Sequence, residues 1–382
     1  MALKILFVSM DSIHAKRWIE NLNGTEFELY WFDILNRGSI DVSDKIHQIV
    51  NWKKRKIKYI KGEYFFRKKF PSIYLKILPF LEVTIEEQFE IIIKELNPDI
   101  VHSFEMQGCS YPILNTMLKF PELKWIYSCW GSDLYYFKNN KKDYNIIKKV
   151  LSRVNFIFTD CFRDYNIAKK IGFNGSFLGV IPGGGGFDLP NLKKYKQPLN
   201  ERKIILIKGY EHKFGRALNV IKAIQNIKRI NNFNIIIFGA HQIVIDYINN
   251  NNLPYKCFDR HELSHIEVLK LMGNSILYIG NSISDGLPNT LLEAIIMNAY
   301  PIQSNPGGVT EEIIENEKTG LLINNPNNIS EIKFLIEKAL NYYNENKLEK
   351  SAELNNLITL ERLDYKVNKK KIINIYKNFS KE

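Results

Sequence analysis

Ser282-Ile283-Ser284-Asp285-Gly286-Leu287-Pro288-Asn289-Thr290-Leu291-Leu292-Glu293-Ala294 is the stretch whose reading decides the fold. The apolar run before it, residues 276–279, reads as a buried strand. A glycine-containing turn follows, and Pro288 suits the first turn of a helix, where a missing N–H leaves nothing unpaired. At such a helix start the leading amides, here those of Asn289 and Thr290, point at an anion. Asp285 in the turn and Glu293 eight residues on place two acids where they reach different parts of one ligand. A helix cap at Asp285 and a partly exposed helical acid at Glu293 account for the pair as well.

Outward from this strand–turn–helix unit the same alternation recurs. Residues 203–208, 233–238, 255–258, 301–304 and 320–323 read as further strands with helices between them. The first half of the chain repeats the pattern, with strands at 5–9, 27–32, 100–103, 125–129 and 156–159 and helices near 12–22, 83–96 and 110–120. Continuous apolar strands separated by helices indicate parallel sheets covered on both faces, so the fold class is α/β with two Rossmann-like, doubly wound domains. Between the two series stand Gly183-Gly184-Gly185-Gly186, Asp188-Leu189-Pro190 and a polar stretch ending at Arg202, which read as a flexible break. The expected domains are 1–186 and 187–360, with a C-terminal helix in 361–382 packing back toward the first. No helix start follows the glycine run, so an interdomain turn explains it better than a phosphate cradle.

A chain of 382 residues suits two sizeable domains, and 45% hydrophobic with 25% charged residues is a globular rather than a disordered composition. The four cysteines form no Cys-x-x-Cys pair, the seven histidines show no ligand spacing beyond His261/His265, and no Asp-x-Asp occurs. Zinc and redox chemistry are therefore disfavoured, and an enzyme with no metal and no cofactor is expected. No run of about 18 apolar residues is present, and the first apolar run ends too soon for a signal-peptide core. The expected location is cytoplasmic, with peripheral contact to the inner face of a membrane left open. A net charge of +12 favours anionic partners. Residues 45–76 carry eleven Lys and Arg against Glu63 alone, interleaved with Trp52, Tyr59, Tyr64, Phe65, Phe66, Phe70 and Tyr74. That mixture suits an anionic membrane surface; single-stranded nucleic acid, the less favoured partner, and a plain solvated loop are the other readings.

The wider pattern carries more. Ser-x-Ser-Asp-Gly-Leu-Pro-x-x-Leu-Leu-Glu-Ala, followed by Tyr300-Pro301-Ile302, Pro306-Gly307-Gly308, Glu311-Glu312-Ile313-Ile314 and Thr319-Gly320-Leu321-Leu322, resembles the second domain of retaining GT-B glycosyltransferases of family 4. The family's signature is Glu-x7-Glu at this spacing. Weaker likenesses at Pro98-Asp99-Ile100-Val101-His102, Trp130-Gly131-Ser132-Asp133 and Val180-Ile181-Pro182-Gly183 extend it across almost the whole chain. The resemblance implies a GT-B fold, two Rossmann-like domains facing a central cleft, with a nucleotide-diphospho-sugar donor on the second and an acceptor on the first. It implies that Glu293 holds the ribose hydroxyls and that Asp285, one methylene shorter than the family's Glu, contacts the transferred sugar. The amides of Gly286 and Leu287 would lie against that sugar beside Ser284, and the helix start at Asn289 and Thr290 would meet the diphosphate.

A departing diphosphate gains negative charge, so fixed cations are needed. The loop Lys208-Gly209-Tyr210-Glu211-His212-Lys213-Phe214-Gly215-Arg216 stands where the family carries Gly-Arg and Lys-Gly, and Arg216 and Lys213 are its candidates, with Lys208 and Gly209 beside them. A solvated helix start is the other reading of Arg216. In the first domain, Met10-Asp11-Ser12-Ile13-His14-Ala15-Lys16-Arg17-Trp18 lacks the Gly-x-Gly-x-x-Gly of dinucleotide sites, which disfavours nicotinamide chemistry. Asp11, His14 and Arg17 are candidates to face the acceptor, with helix capping or a surface position as the alternative. Trp130, where many relatives have His, suits stacking on a sugar face, and Asp133 either orients or deprotonates an acceptor hydroxyl or caps a helix.

The expected function is transfer of a hexosyl group from a nucleotide-diphospho-sugar to a cell-envelope glycan, a lipid-linked or a protein acceptor. Another GT-B nucleotide-sugar enzyme, an epimerase or inverting transferase, and a non-catalytic subunit binding lipid or nucleic acid are the alternatives.

Overall fold

A computed structural model describes residues 2–379. The chain divides into two compact units. One comprises the residues up to Phe158, Ala168–Gly179 and the end of the chain from Lys371; the other comprises Thr159–Ile167 and Val180–Lys370.

The first unit is built on β1 (Lys4–Ser9), β2 (Glu28–Asp33), β3 (Ile46–Ile49), β4 (Ile100–Phe104), β5 (Lys124–Cys129), β6 (Phe156–Thr159) and β7 (Ser176–Val180), in the order β3-β2-β1-β4-β5-β6-β7. β1 pairs in parallel with β2 and with β4, and all of Ile5, Leu6, Phe7 and Val8 are buried. Burial without alternation is what helices on both faces of a parallel sheet produce. β3 and β7 escape the apolar-run criterion because they are short, lie at the sheet's edges and are mostly half-exposed. The basic stretch is not a plain loop either: it contains β3 and the helices Glu63–Lys69 and Pro71–Leu81.

The second unit carries β8 (Ile204–Lys208), β9 (Asn234–Ala240), β10 (Lys256–Asp259), β11 (Ser275–Gly280), β12 (Tyr300–Ser304) and β13 (Leu321–Ile323), all paired in parallel in the order β10-β9-β8-β11-β12-β13. Each stands within two residues of where the apolar runs put it. In both sheets the order reverses next to the first strand, at β1/β4 and at β8/β11, and in such sheets ligands bind beyond the carboxyl ends at that reversal.

The division of the chain differs from the one expected at Gly186. It falls between Gly179 and Val180, and the glycine run belongs inside the second unit. Gly186 (φ +101°) lies so close to residues 363–365 that a Cβ would come within 2.7 Å of the Leu363 carbonyl oxygen. Phe187 N–H donates to Leu363 O at 2.8 Å and Tyr365 N–H to Phe187 O at 2.9 Å, which fixes the run as packed structure rather than a linker.

Beyond β13 come the helices Ile329–Asn344, Lys347–Arg362 and Tyr365–Phe379, and the last begins in the second unit and ends in the first. There the Tyr376 hydroxyl is fully buried, 2.6 Å from His102 Nδ1, and accepts from the Trp18 indole N–H at 3.3 Å; His102 Nε2 lies 2.8 Å from Ser128 Oγ. Burial holds the His102 pKa well below its usual value, so the ring is neutral and accepts the tyrosine proton. This chain of bonds ties the last helix to β4, β5 and the helix Ile13–Glu20. Replacing Tyr376→Phe keeps the ring but strands a buried indole N–H and an imidazole nitrogen, at a cost of about 1–3 kcal/mol for each group left unsatisfied. A lowered urea midpoint for the first unit is the expected result.

Candidate functional site

In the second unit the loops after β8 and β11 leave adjacent strands and are laced to each other. Arg216 N–H donates to Asn281 O and Ile283 N–H to Phe214 O, both at 2.9 Å, and Gly215 bridges Ser282. Gly209 is required where the chain turns away from β8: a Cβ there would fall 2.7 Å from the Ala240 Cα, and its N–H donates to Phe238 O at 2.8 Å. The β8 loop is cationic. The Tyr210 ring has the Lys208 ammonium 4.5 Å from its centre and the Arg260 guanidinium 5.4 Å away. Lys213 is exposed and leans on Phe214 at 5.4 Å. Partial burial, His241 and then the charges of Lys208, Arg260 and Arg216 hold the His212 pKa below its usual value, so these groups converge on one field. Arg216 serves its own loop: Nη1 donates to His212 O at 3.0 Å and Gly215 O at 2.6 Å, and Nε to Asn327 Oδ1 at 3.3 Å. Arg260 and His241 were not legible as site residues in the sequence; they follow β10 and β9, and only the strand order brings them beside β8.

The β11 loop ends at Pro288, which starts the helix Asn289–Ile296; Leu291 and Leu292 N–H make its first bonds, to Pro288 O. Asn289 and Thr290 thus occupy the leading turn, and the Tyr278 hydroxyl fixes Thr290 Oγ1 at 2.9 Å. Ser284 is buried. Asp285 is half-buried, and its Oδ1 accepts from Gly286 N–H at 3.0 Å. Leu287 N–H donates to Asp160 Oδ2 at 3.2 Å, and the approach is so close that a Cβ on Gly286 would overlap that oxygen at 2.1 Å. Glu293 is only 4% exposed, with Oε1 2.7 Å from Nε2 of His265, which opens the helix His265–Gly273. His265 is a partner that the sequence hinted at only through its weak spacing to His261.

The frame for this loop comes from the first half of the chain. Arg163 donates from Nη2 to Asp285 O at 2.7 Å, from Nη1 to Pro306 O at 2.6 Å and from Nε to Asp164 Oδ1 at 2.9 Å. The amides of Phe162 and Arg163 donate to Glu312 at 2.7 and 2.8 Å. Asp160, Cys161 and Asp164 bring their ligand atoms within 4.8 Å of one another, a set that suits a cation. The cation already there is the Arg163 guanidinium, 2.8 Å from Asp164.

In the first unit, His14 and Trp130 meet with ring centres 5.4 Å apart, and Trp130 also packs on Phe104. Ser12 caps the helix Ile13–Glu20 through Ala15 N–H, Asp11 pairs with Lys16 at 3.3 Å, and Arg17 lies half-buried in the helix's last turn. Asp133 is 4% exposed and accepts from Met106 N–H, the Tyr127 hydroxyl, the Cys129 thiol and Trp130 N–H at 2.6–3.2 Å. It is a strut between the loops after β4 and β5.

Glu105, which the sequence reading passed over, sits at the β1/β4 reversal. Its backbone (φ 67°, ψ 145°) occupies a region nearly closed to residues with a Cβ, strain of the kind that gathers at functional sites. Its carboxylate accepts from the amides of Gln107 and Gly108, and the approach is close: a Cβ on Gly108 would lie 2.9 Å from Glu105 Oε2 and 3.0 Å from Met10 Cε, so a side chain there would displace the carboxylate. Burial and then the nearby Asp133 push its pKa up to about 7 from 4.5. The only trace in the sequence is an acid directly after an apolar strand, three residues before a glycine.

With Glu105 titrating near 7 when folded and near 4.5 when unfolded, the native state holds more protons between these values, and stability falls as pH rises through that window. The contribution is fully present below pH 4.5 and lost above about 7, and amounts to about 3 kcal/mol. Glu105→Gln, which removes the titrating group and keeps one of the two acceptor oxygens, should flatten that part of the pH profile; thermal midpoints of both proteins across the window measure it.

Residues 190–356 match the family model described as Glycosyl transferases group 1, and residues 4–161 match the one described as Glycosyl transferase 4-like. No curated protein matches the chain. Among solved structures, sucrose-phosphate synthase from Thermosynechococcus elongatus is similar at a TM-score of 0.73 and 13% identity, over 100% of both chains. A glycosyltransferase from Rickettsia africae is similar at 0.68 and 16%, over 100% of this chain and 99% of that one. Anabaena HepE in complex with UDP is similar at 0.66 and 13%, over 99% and 100%. One glycosyltransferase model falls on each half of the chain, and these structures share the fold of two α/β domains on parallel sheets: the chain is a glycosyltransferase of the GT-B fold.

Proposed function

We propose that the chain transfers a hexosyl group, with retention and without a metal, from a nucleotide-diphospho-sugar on the second unit to an acceptor on the first. The observation that carries this reading is the lacing of the cationic β8 loop to the Asp285–Glu293 turn and helix at one strand-order reversal. Lys208, Lys213 and Arg260 would stabilise the charge that the leaving diphosphate acquires, with Arg216 holding the loop in shape, and the leading amides at Asn289 and Thr290 would meet its oxygens. These groups supply the positive charge that a metal supplies in other transferases. Asp285, held through Arg163, would place the sugar, and Glu293, oriented by His265, the ribose. On the first unit His14, Trp130 and Glu105 would line the acceptor side. The complexes of HepE with UDP and with UDP-glucose support a uridine diphosphate sugar as the first donor to test. A cell-envelope glycan or lipid-linked acceptor at the inner face of the membrane fits the basic stretch 45–76; among the described residues no helix is long and apolar enough to cross a membrane.

Purified protein offered a panel of nucleotide-sugars should release nucleoside diphosphate and sugar of unchanged anomeric configuration. An inverted product, an epimerised donor or no turnover with any of them would each replace this reading with a different one. Glu293→Ala should weaken nucleoside diphosphate binding roughly ten- to a hundredfold in calorimetry, the loss of a charged hydrogen bond worth about 1.5–3 kcal/mol. Arg216→Ala should lower kcat, by up to about a hundred- to a thousandfold, because the loop that presents Lys208 and Lys213 to the leaving diphosphate loses its brace.

A further inference from the structure

Ten of the exposed large apolar side chains among the described residues lie between residues 57 and 80. The helix Glu63–Lys69 buries none of its residues, and Pro71–Leu81 buries only Tyr74 and Leu81. Phe70, Ile73, Ile77 and Phe80 follow one another at spacings of three, four and three, so they form one stripe, and all four are exposed, Phe80 to 72%. Phe65, 63% exposed, adds to this apolar surface from the preceding helix.

This surface is held out on a braced scaffold. Arg55 donates from both terminal nitrogens to Glu63 at 2.8 Å and from one to Glu82 at 3.4 Å, and the Tyr74 hydroxyl donates to Glu63 at 2.7 Å. The bonds from Arg55 and Tyr74 hold the Glu63 carboxyl down to about 2. Lys53 and Lys56 are likewise spent on Glu82 and Glu87. The basic residues available at the surface are therefore others: among the described residues no carboxylate lies within ion-pair distance of Lys58, Lys61, Lys68 or Lys76. The Lys69 ammonium lies 5.4 Å from the Phe65 ring and 5.7 Å from that of Phe70, as a charge does when it borders an apolar face.

We propose that this helical hairpin is a monotopic membrane anchor, lying in the plane of an anionic bilayer with Phe65, Phe70, Ile73, Ile77 and Phe80 among the acyl chains and the lysines at the headgroups. It rests on the transferase reading for its purpose, the collection of a lipid-linked acceptor. Aliphatic Ile73 and Ile77 offer nothing for nucleobases to stack on, which disfavours single-stranded nucleic acid, and a second copy of so basic a surface would be repelled. Leu75 and Pro79 also line an apolar cleft of about 280 Å³, whose lining includes Ile34 and Leu35, directly past the carboxyl end of β2. The anchor therefore adjoins the strand ends of the first sheet, where the acceptor is placed above.

The test is sedimentation of the full chain with phosphatidylcholine vesicles, with and without phosphatidylglycerol, at low and high salt. The wild type should bind the anionic vesicles and keep part of that binding at high salt, since only the headgroup contacts are screened. Phe65→Ser/Phe80→Ser should lower partitioning about tenfold per phenylalanine. Lys58→Glu/Lys61→Glu/Lys68→Glu should remove the salt-sensitive part, and nucleotide binding should be unchanged in both variants. A wild type that ignores anionic vesicles, a double variant that binds like wild type, or retardation of single-stranded RNA without vesicle binding overturns the proposal. Donor turnover by the wild type is measured separately, so vesicle binding without turnover defeats the transferase reading and leaves the anchor standing.

Discussion

The Arg163 guanidinium is the contact on which the loop after β11 depends. Burial disfavours its charge, and the adjoining Asp164 more than offsets this, raising the pKa. With that charge secured, its remaining N–H groups reach the carbonyls of Asp285 and Pro306, two turns that follow different strands. Asp160 closes the same turn from the other side through Leu287 N–H. A loop in which a half-buried acid is followed by a glycine would otherwise sample many shapes. Here its backbone oxygens and amides have fixed partners, and the cost of ordering it is met by folding rather than by a ligand.

The same economy explains why Thr159–Ile167 leaves the unit in which its strand begins. The segment buries Arg163 and Asp164 together, and its amides at Phe162 and Arg163 satisfy Glu312. A buried ion pair is tolerated when its remaining hydrogen-bonding groups are satisfied, and Asp285, Pro306 and Cys161, which satisfy them here, lie in the second unit. The chain thus passes to the second unit at the end of β6, returns part-way along the helix Phe162–Ile171, and passes again at the end of β7. The last helix, returning the other way, is secured by Tyr376 on His102 and Trp18.

What could be read from the sequence follows the physics of burial. In the second sheet β8, β9, β11 and β13 were legible because their cores are apolar runs, and the turn at Asp285 because a glycine, a proline and two acids are local signals. β3 and β7 were not, because both are mostly half-exposed and their residues mix polar or glycine positions with apolar ones. The pairing of Glu293 with His265, the clamp by Arg163 and the arrival of Arg260 at Tyr210 join residues far apart in the chain, and only strand order determines such meetings. Glu105 was hidden for a different reason: its significance lies in a backbone angle and a desolvated carboxyl, and neither is a property of residue type.

Composition places most of the net positive charge in residues 45–76, but the structure divides that charge into two kinds. Arg55, Lys53 and Lys56 are neutralised by Glu63, Glu82 and Glu87 and act as internal braces, while Lys58, Lys61, Lys68 and Lys76 face solvent. Reversing the first group would dismantle the hairpin, and reversing the second would change only what it can approach. A charge count over a segment measures neither effect. The distinction appears only when each cation is followed to its partner, and it turns a diffuse basic stretch into a braced platform that exposes an apolar stripe with a cationic border.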